Sequence, residues 1–272
     1  MEKFSVKDHA GSLLPSGKQW KLVWSDEFDG TSLDTSKWGF RLNFWGKPFP
    51  AFTDKGVVLD GKSHLQLHIV KTPDGEYCSP HLQTASLTYD IPRDPGVFWP
   101  FGKYETPRFL HKFGYYEICC RLNRQAGWWT AFWLQSPSIG AHPDASQCGV
   151  ECDIMESQDY AEQKIVRCGN IWNGYGKNAT GSGHKHYPLE DTPDGWHRFG
   201  VDWSRDGYVF YTDGREVNRV DGPVSNVEQF ILVSTECMGY RDNPSKASPL
   251  LDKVVLPEYF EVDFVRVFDE VQ

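Results

Sequence analysis

Apolar and polar residues alternate with a period of two along most of the chain, and this pattern limits the fold more than any other feature. Leu65, Leu67 and Ile69 alternate with polar neighbours, which is typical of a strand with one buried face. Residues 209–217 have the pattern of two strands joined by an Asp-Gly turn at 213–214, a turn that hairpins favour. No stretch longer than about ten residues keeps a helical period. The pattern therefore predicts an all-β protein.

The C-terminal segment carries the longest strand pattern in the chain. Strict alternation places Phe260, Val262, Phe264 and Phe268 on one face of a single strand. A strand with so many large apolar side chains on one face is expected inside a sheet rather than at its edge.

Nothing in the sequence marks a boundary between domains. The 272 residues contain no repeat, low-complexity segment or change in composition, so we expect one domain spanning residues 1–272. Residues 1–17 carry little pattern and are expected to form an extended N-terminal arm. No apolar run is long enough to span a bilayer, so we expect no membrane insertion. The first residues also lack the apolar stretch of a secretory signal, which does not decide where the protein acts.

Composition narrows the classes of partner. A net charge of -9 without a cluster of Lys and Arg argues against nucleic acid or an anionic membrane. The chain has seven cysteines, an odd number without zinc-site spacing, and most of them are expected to be buried thiols. Aromatic residues make up 15% of the chain, with 11 Trp, which is more than a core requires. Because aromatic rings match the C–H face of a pyranose, this surplus indicates contact with sugars.

Three carboxylates lie within one short strand, at Glu151, Asp153 and Glu156. Glu151 and Asp153 share a face, but strict alternation would place Glu156 on the opposite face, in the core. Burying an unpaired carboxylate there would cost several kcal/mol. One extra residue at Ile154-Met155, a β-bulge, would return Glu156 to the face of Glu151. The spacing therefore predicts a bulge and three carboxylates on one face.

Such a carboxylate cluster has three interpretations. Like-charge repulsion raises the pKa of at least one member, as acid catalysis of glycoside hydrolysis requires. The same residues are also compatible with a solvated acidic strand face, or with a site for a divalent cation. Trp129, Ala131 and Trp133 share one face of a nearby predicted strand and would give the carboxylates an aromatic floor. That floor suits a sugar better than it suits a cation or bulk water.

Several segments resemble glycoside hydrolase family 16. The strand Glu151–Glu156 resembles the E-x-D-x-x-E signature of this family in its bulged form. Further segments resemble other strands of the family in the expected order: residues 24–30, 112–117, 129–133, 196–203 and 260–267. The resemblance extends over roughly residues 20–269, which a chance match to one hexapeptide would not do.

The resemblance implies a concanavalin A-like β-jelly-roll sandwich of two antiparallel sheets, with the substrate in a groove across the concave sheet. It implies retention of configuration, with Glu151 as nucleophile, Asp153 as its hydrogen-bonded helper and Glu156 as acid/base. No cofactor is expected for catalysis. The partner implied is a polysaccharide or oligosaccharide, and the protein is expected to be a monomer that is secreted, periplasmic or at the cell surface.

Residues outside the signature bear on the substrate. The side chains expected to bind or discriminate the sugar are Trp129, Trp133, Trp172, Asn173, Trp45, Arg108, His184 and Glu236. Laminarin-degrading members usually carry a histidine before the tryptophan that Trp172 matches, and a glycine-rich segment where this chain has residues 234–240. Ile171 stands in place of that histidine. These departures favour a β-galactan such as agar or porphyran, or a host glycan with β-1,4-galactosyl linkages. The alternatives are an endo-β-1,3(4)-glucanase and a non-catalytic, lectin-like sandwich.

The resemblance also implies a structural calcium ion. Many members of the family bind one on the convex side through an N-terminal backbone carbonyl, a glycine carbonyl and an aspartate near the C-terminus, and the matching positions are Glu27, Gly61 and Asp263. Oxygen ligands of this kind suit calcium, and the site would join the two ends of the chain. Asp263 is equally compatible with an ordinary exposed strand position.

Overall fold

The computed structural model describes residues 2–44, 47–86, 106–158 and 160–271. Most of the regular structure in these residues is β-strand. In chain order, the strands are β1 (Glu2–Phe4), β2 (Ser12–Leu14), β3 (Gln19–Asp26), β4 (Gly39–Phe40), β5 (Asn43–Phe44), β6 (Lys47–Pro48), β7 (Phe52–Thr53), β8 (Val57–Leu59), β9 (Leu65–His68), β10 (Val70–Lys71), β11 (Tyr77–Gln83), β12 (Gly114–Arg121), β13 (Trp128–Gln135), β14 (Glu151–Glu156), β15 (Ile165–Trp172), β16 (Thr180–Gly181), β17 (Lys185–Pro188), β18 (His197–Ser204), β19 (Gly207–Thr212), β20 (Arg215–Val220), β21 (Phe230–Cys237) and β22 (Tyr259–Val271). The helices are α1 (Ala145–Cys148), α2 (Tyr160–Gln163) and two 3₁₀ turns, Gly176–Asn178 and Leu251–Lys253.

Two large sheets face each other. The first, here called the groove sheet, has the strand order β10–β11–β21–β13–β14–β15–β16, with β17 beside β15 and with β4 and β7 beside β11. The second, the outer sheet, has the order β20–β19–β18–β12–β22–β9–β8, with β3 beside β22. Pairing is antiparallel in both sheets except between β7 and β11. This is the β-jelly-roll sandwich that the sequence pattern and the resemblance predict.

The main core lies between the two sheets and takes alternate residues from each. Leu65 and Leu67 of β9 are fully buried, and Ile69 beyond its end is 4% exposed, as the alternation predicts. From the groove sheet, Phe132 and Cys152 enter the same apolar cluster. Alternation therefore leaves the opposite face of the groove sheet free to present polar side chains.

The C-terminal strand β22 changes face at a bulge. Its pairing with β12 shifts between Cys119 and Cys120, so that Asp263 is an extra residue. Phe260 and Val262 point into the main core, and after the bulge Val265 and Val267 do so. The prediction that Phe264 and Phe268 share the face of Phe260 and Val262 is therefore wrong, because strict alternation cannot anticipate the extra residue.

The N-terminal residues form a hairpin rather than an extended arm. Strands β1 and β2 pair with each other over Glu2–Phe4 and Ser12–Leu14. Phe4 and Leu14 pack on Tyr115 and Phe268, on the face of the outer sheet that lies away from the main core. Burial of these apolar side chains explains why the segment folds back instead of extending.

All seven cysteines are buried free thiols, as the sequence predicts. Among the helices described, none has the length and apolarity needed to cross a membrane.

Candidate active site

A bulge in β14 brings the three carboxylates to one face. The neighbouring strand pairs Trp133 with Asp153 and Phe132 with Met155, which leaves Ile154 as an extra residue. The pairing with β15 shifts at the same place. Ile154 and Met155 are buried in the core, and one groove is lined by all three carboxylates, Glu151, Asp153 and Glu156. The predicted bulge is confirmed.

The groove runs across the groove sheet and has a volume of about 430 Å³. This is within the usual range for a small-molecule or oligosaccharide pocket. Its described lining is Arg41, Phe44, Phe52, His81, Trp129, Ala131, Trp133, Glu151, Asp153, Glu156, Gln158, Arg167, Ile171, Tyr175, His184, Ser234, Glu236, Met238, Gly239, Arg241 and Asp242. Aromatic rings and charged groups dominate this lining, so it offers both stacking surfaces and strong hydrogen-bonding groups.

Glu151 is held by two hydrogen-bond donors. The Tyr175 hydroxyl and the Gln135 side-chain amide, the latter at 3.2 Å, both donate to its Oε2 atom. Burial and, after it, the neighbouring charges of Asp153 and Glu156 raise the pKa of Glu151 to about 8, although the Tyr175 hydrogen bond and the charge of Arg41 oppose this rise. The site therefore fixes the orientation of this carboxyl and makes its charge costly until a compensating group arrives.

Asp153 lies between the two glutamates and contacts a histidine. His184 Nε2 is 2.8 Å from Asp153 Oδ2 and 3.6 Å from Glu156 Oε2. Burial, followed by the charge of Glu156, raises the pKa of Asp153 well above its ordinary value. Burial also lowers the pKa of His184. Of the three carboxyl groups on β14, Asp153 is thus the one best able to keep a proton and share it with a neighbouring side chain.

Glu156 is paired with Arg167 from the adjacent strand. Arg167 donates from Nε at 2.8 Å and from its terminal nitrogen at 3.2 Å, which is a bidentate contact. The ligand atoms of Asp153, Glu156 and His184 lie within 4.8 Å of one another. The Arg167 guanidinium is already paired with the Glu156 carboxylate and would repel a divalent cation. This cluster is therefore poorly suited to such a cation.

The expected aromatic floor is present. Trp129 is half-buried, and Trp133 is 8% exposed with its ring nitrogen donating to Ser234 Oγ at 2.9 Å. Beside them, Arg241 donates two hydrogen bonds of 2.6 Å to Glu236. The Arg241 guanidinium also lies 5.1 Å from the centroid of the Trp129 ring. Glu236 therefore lines the groove as predicted, but as half of an ion pair.

Three of the predicted sugar-binding residues lie away from the groove. Ile171 is the cross-strand partner of Glu151 and faces the groove, so Trp172 points the other way and packs against the main core. The Asn173 amide donates to Thr180 Oγ1 at 3.3 Å. Arg108 donates to the Thr35 carbonyl at 2.9 Å. None of the three belongs to the described lining of the groove. Trp45 lies outside the described residues.

Among the residues expected to bind calcium, both carboxylates already have partners. Asp263 accepts from His9 Nδ1 at 2.6 Å on one oxygen and from the Ala10 amide at 3.0 Å on the other. The Glu27 carboxylate is bound by the fully buried Arg266 guanidinium, at 2.7 Å for the shortest contact. Gly61 lies in a turn with φ of 71°. Asp263 supplies the only carboxylate of the predicted ligand set, and both of its oxygens already accept hydrogen bonds, which makes this carboxylate a poor ligand for a hard cation. The calcium site stays a prediction.

Sequence reasoning missed several groove residues that come from other strands and loops. Gln135 had a detectable signal, because it continues the alternation of Trp129, Ala131 and Trp133. Arg41 and Tyr175, in contrast, come from irregular segments after β4 and β15, where no periodic pattern indicates direction. The missed groove residues with ionisable side chains include His81, Arg167 and Arg241.

Comparison with known proteins agrees with this geometry. A family model described as glycosyl hydrolases family 16 matches residues 61–234. The chain is 24% identical over 267 residues to the glucan endo-1,3-beta-glucosidase A1 of Niallia circulans, covering 92% of this chain and 38% of that protein. It is 32% identical over 147 residues to the beta-porphyranase D of Zobellia galactanivorans, covering 53% and 31% respectively. The chain thus spans well under half the length of both relatives.

The fold is also similar to solved structures. The catalytic domain of an endo-1,3-beta-glucanase (laminarinase) from Thermotoga petrophila superposes with a TM-score of 0.67 at 22% identity. That superposition covers 94% of this chain and 100% of the laminarinase domain. At this level of identity the likeness concerns the fold alone.

Proposed function

Because the chain belongs to glycosyl hydrolase family 16, we propose that it cleaves internal β-glycosidic bonds of a polysaccharide with retention of anomeric configuration. The observation that supports this proposal is the bulge at Ile154, which gives one groove three carboxylates along a single strand. A solvated acidic face would need no bulge and no aromatic floor. A pair of carboxyl groups that flank a bound sugar is what glycoside hydrolysis requires.

The proposed first step forms a glycosyl-enzyme intermediate. Glu151 attacks the anomeric carbon while Glu156 gives its proton to the departing oxygen, so the glycosidic C–O bond breaks as the ester bond forms. In the second step Glu156 removes a proton from water, the water oxygen bonds to the anomeric carbon and Glu151 is released. Two inversions at one carbon leave the configuration unchanged.

Neighbouring groups prepare these two glutamates for their roles. Tyr175 and Gln135 orient Glu151 toward the groove through the hydrogen bonds described above. Because burial raises the pKa of Asp153, its retained proton can be donated to Glu151, which stabilises the anion that attacks. Arg167 and His184 hold the Glu156 carboxyl in place on the other side of Asp153.

The first candidate substrate is a β-galactan such as agar or porphyran, or a glycan with β-1,4-galactosyl linkages. Its support is the apolar Ile171 beside Glu151, the density of charged groups in the groove and the 32% identity to a β-porphyranase. The second candidate is a β-1,3- or mixed-linkage glucan. Its support is the longer match to a glucan endo-1,3-beta-glucosidase, which covers 92% of this chain. Since polymers of this size do not cross membranes, we place the reaction outside the cell.

The test of this function uses a panel of polymers with a matched variant. Laminarin, mixed-linkage glucan, agarose, porphyran and galactosyl mucin glycans are incubated with the protein, and products are identified by mass spectrometry. Proton NMR of the first products should show the β-anomer before mutarotation. Glu151→Gln should lower kcat by roughly 10⁴-fold or more, whereas Glu162→Gln, an exposed carboxyl on α2, should retain full activity. Activity retained by Glu151→Gln, or an initial α-anomer, would contradict the mechanism. Binding without release of reducing ends would indicate a lectin-like protein instead.

A further inference from the structure

Two groove residues on the floor beside the carboxylates have polar groups that the described protein leaves unsatisfied. Arg41 follows β4, and its backbone amide donates to the His81 carbonyl at 2.8 Å, which ties the two residues together. Both side chains line the groove with Trp133. His81 is 3% exposed, and its ring lies edge-on to Phe52 and Trp133, at 4.8 and 5.8 Å between centroids.

Among the described residues, no carboxylate forms an ion pair with the Arg41 guanidinium, in contrast to the other two groove arginines. Arg167 is bidentate to Glu156, and Arg241 is bidentate to Glu236. Within the described part of the chain, Arg41 makes only one side-chain hydrogen bond, from Nε to the Asn43 carbonyl at 3.4 Å. Its guanidinium carbon lies 5.5 Å from the centroid of the Trp133 ring, which holds the planar group over the floor. Its terminal nitrogens remain as donors directed at whatever fills the groove.

The His81 ring adds a second unsatisfied group. Neither of its ring nitrogens has a hydrogen-bond partner among the described residues, although both are buried. Burial and the charges of Arg41 and Arg241 lower the pKa of His81 well below its ordinary value, so the ring is neutral and keeps one N–H donor. A buried polar group without a partner is destabilising, and in native proteins it usually has a function. Because the His81 side chain lines the groove, a ligand in the groove is the candidate for that partner.

The position of this pair relative to the cleavage site follows from strand pairing. His81 pairs with Ser234, Ser234 with Ala131, and Ala131 with Glu156. Residues so paired lie level across the sheet on the same face. Three inter-strand steps of about 4.8 Å separate His81 from Glu156 by about 14 Å. His81 is therefore beyond the sugar whose bond is cleaved, at a neighbouring unit of the chain, whereas the Arg41 guanidinium is close enough to the groove carboxylates Glu151 and Glu236 for their charges to act on it.

We infer that Arg41 and His81 form a subsite for a sugar unit that carries an anionic substituent, a sulfate ester or a carboxylate. Several donors converge on one volume, one of them a permanent cation without a carboxylate partner, and an anion satisfies such donors better than a neutral hydroxyl does. This inference rests on the proposed function, since it concerns the same groove. It names a charged polymer as the preferred substrate, whether its backbone is a galactan or a glucan.

The experiment compares polymers that differ only in charge. Porphyran is paired with porphyran desulfated by solvolysis, which leaves a free 6-hydroxyl, and laminarin is paired with laminarin oxidised at C6 to the carboxylate. For wild type, kcat/KM should be higher on the anionic member of at least one pair. The pair that responds distinguishes a sulfate ester from a carboxylate. Preference for the anionic polymer should also weaken as salt is added.

Two variants test the residues. In Arg41→Gln, the ratio of kcat/KM on the anionic polymer to that on its neutral partner should fall roughly 10- to 100-fold, mainly through KM. His81→Gln should lower the same ratio by a smaller factor. Arg215→Gln, whose side chain is 79% exposed and outside the groove, is the matched control and should keep the wild-type ratio. An unchanged ratio in Arg41→Gln, or an equal loss in kcat on both polymers, would overturn the inference.

A binding measurement separates this inference from the proposed function. Calorimetric titration of the Glu151→Gln variant with anionic and neutral oligosaccharides reports on the subsite without turnover. If wild type cleaves only neutral polymers and Arg41→Gln changes nothing, the function stands and the inference fails. If wild type cleaves none of the polymers, the function fails. The inference then survives only if Glu151→Gln binds the anionic oligosaccharide and loses that binding when Arg41 is also replaced.

Discussion

Replacing Glu151 with glutamine should stabilise the protein, and the gain should grow with pH. The pKa of this carboxyl is about 8 in the folded state against an ordinary value of 4.5. The folded state therefore binds more protons than the unfolded state between these two values. Stability contributed by this group falls as pH rises from about 4.5 to about 8, since the unfolded chain ionises first. Glutamine carries no charge at any pH, so the variant avoids this loss.

The magnitude follows from the same two pKa values. At 1.36 kcal/mol per pKa unit, the full difference corresponds to about 5 kcal/mol, which is an upper bound. The carboxyl borders an open groove, where water screens its charge, and Asp153 shares its protons. We therefore expect Glu151→Gln to be more stable than wild type by roughly 2–3 kcal/mol above pH 8 and by almost nothing near pH 4.5.

Urea denaturation at several pH values, followed by tryptophan fluorescence, measures this difference. Glu162→Gln changes an exposed carboxyl in the same way and should show no comparable trend with pH. A difference between Glu151→Gln and wild type that does not grow from pH 5 to pH 8.5 would refute the reasoning. A variant less stable than wild type at pH 8.5 would show that the Tyr175 hydrogen bond outweighs the burial of charge.

Three further outcomes follow from the site and its surroundings. Tyr175→Phe removes a hydrogen bond that lowers the pKa of Glu151, so the acidic limb of the pH profile of kcat/KM should move to higher pH. The kcat value should fall roughly 10- to 100-fold. An unchanged pH profile would show that the Tyr175 side chain contributes only packing. Deleting Ile154 removes the bulge residue and should abolish activity because it breaks the register of the carboxylates, whereas Ile154→Val should keep the bulge and most of the activity. Excess EDTA should change the Tm by less than about 1 °C, because Asp263 is already bound by His9 and the Ala10 amide. A large drop in Tm that added calcium reverses would instead support a structural calcium ion.

The strand positions and the three carboxylates of β14 could be predicted because the sequence patterns that indicate them are local. The alternation of apolar and polar residues correctly predicted β9 and the hairpin of β19 and β20. The spacing of Glu156 from Glu151 correctly predicted a bulge in β14. In each case the cost of burying a charge or exposing an apolar face can be read from neighbouring residues alone.

Errors arose where a distant residue decided the outcome. The bulge at Asp263 turned Phe264 and Phe268 to the far side of β22, and no burial conflict in the sequence indicated it. Trp172 is a residue type that often binds sugars, but the pairing of Ile171 with Glu151 turns the Trp172 side chain toward the core. The contact of His9 with Asp263 likewise joins residues distant in sequence, and no local pattern indicated it.

The sequence by itself determined an all-β sandwich and a strand with three carboxylates on one face, because side-chain period and the cost of buried charge act between near neighbours. Only the tertiary structure decided the partners of those carboxylates, since Tyr175, Arg167 and His184 reach them from other segments of the chain. It likewise decided that Arg241 pairs with Glu236, whereas Arg41 forms no ion pair with any described carboxylate. The balance of charges in a groove depends on which distant strands and loops line it, and the local sequence pattern does not indicate which segments these are.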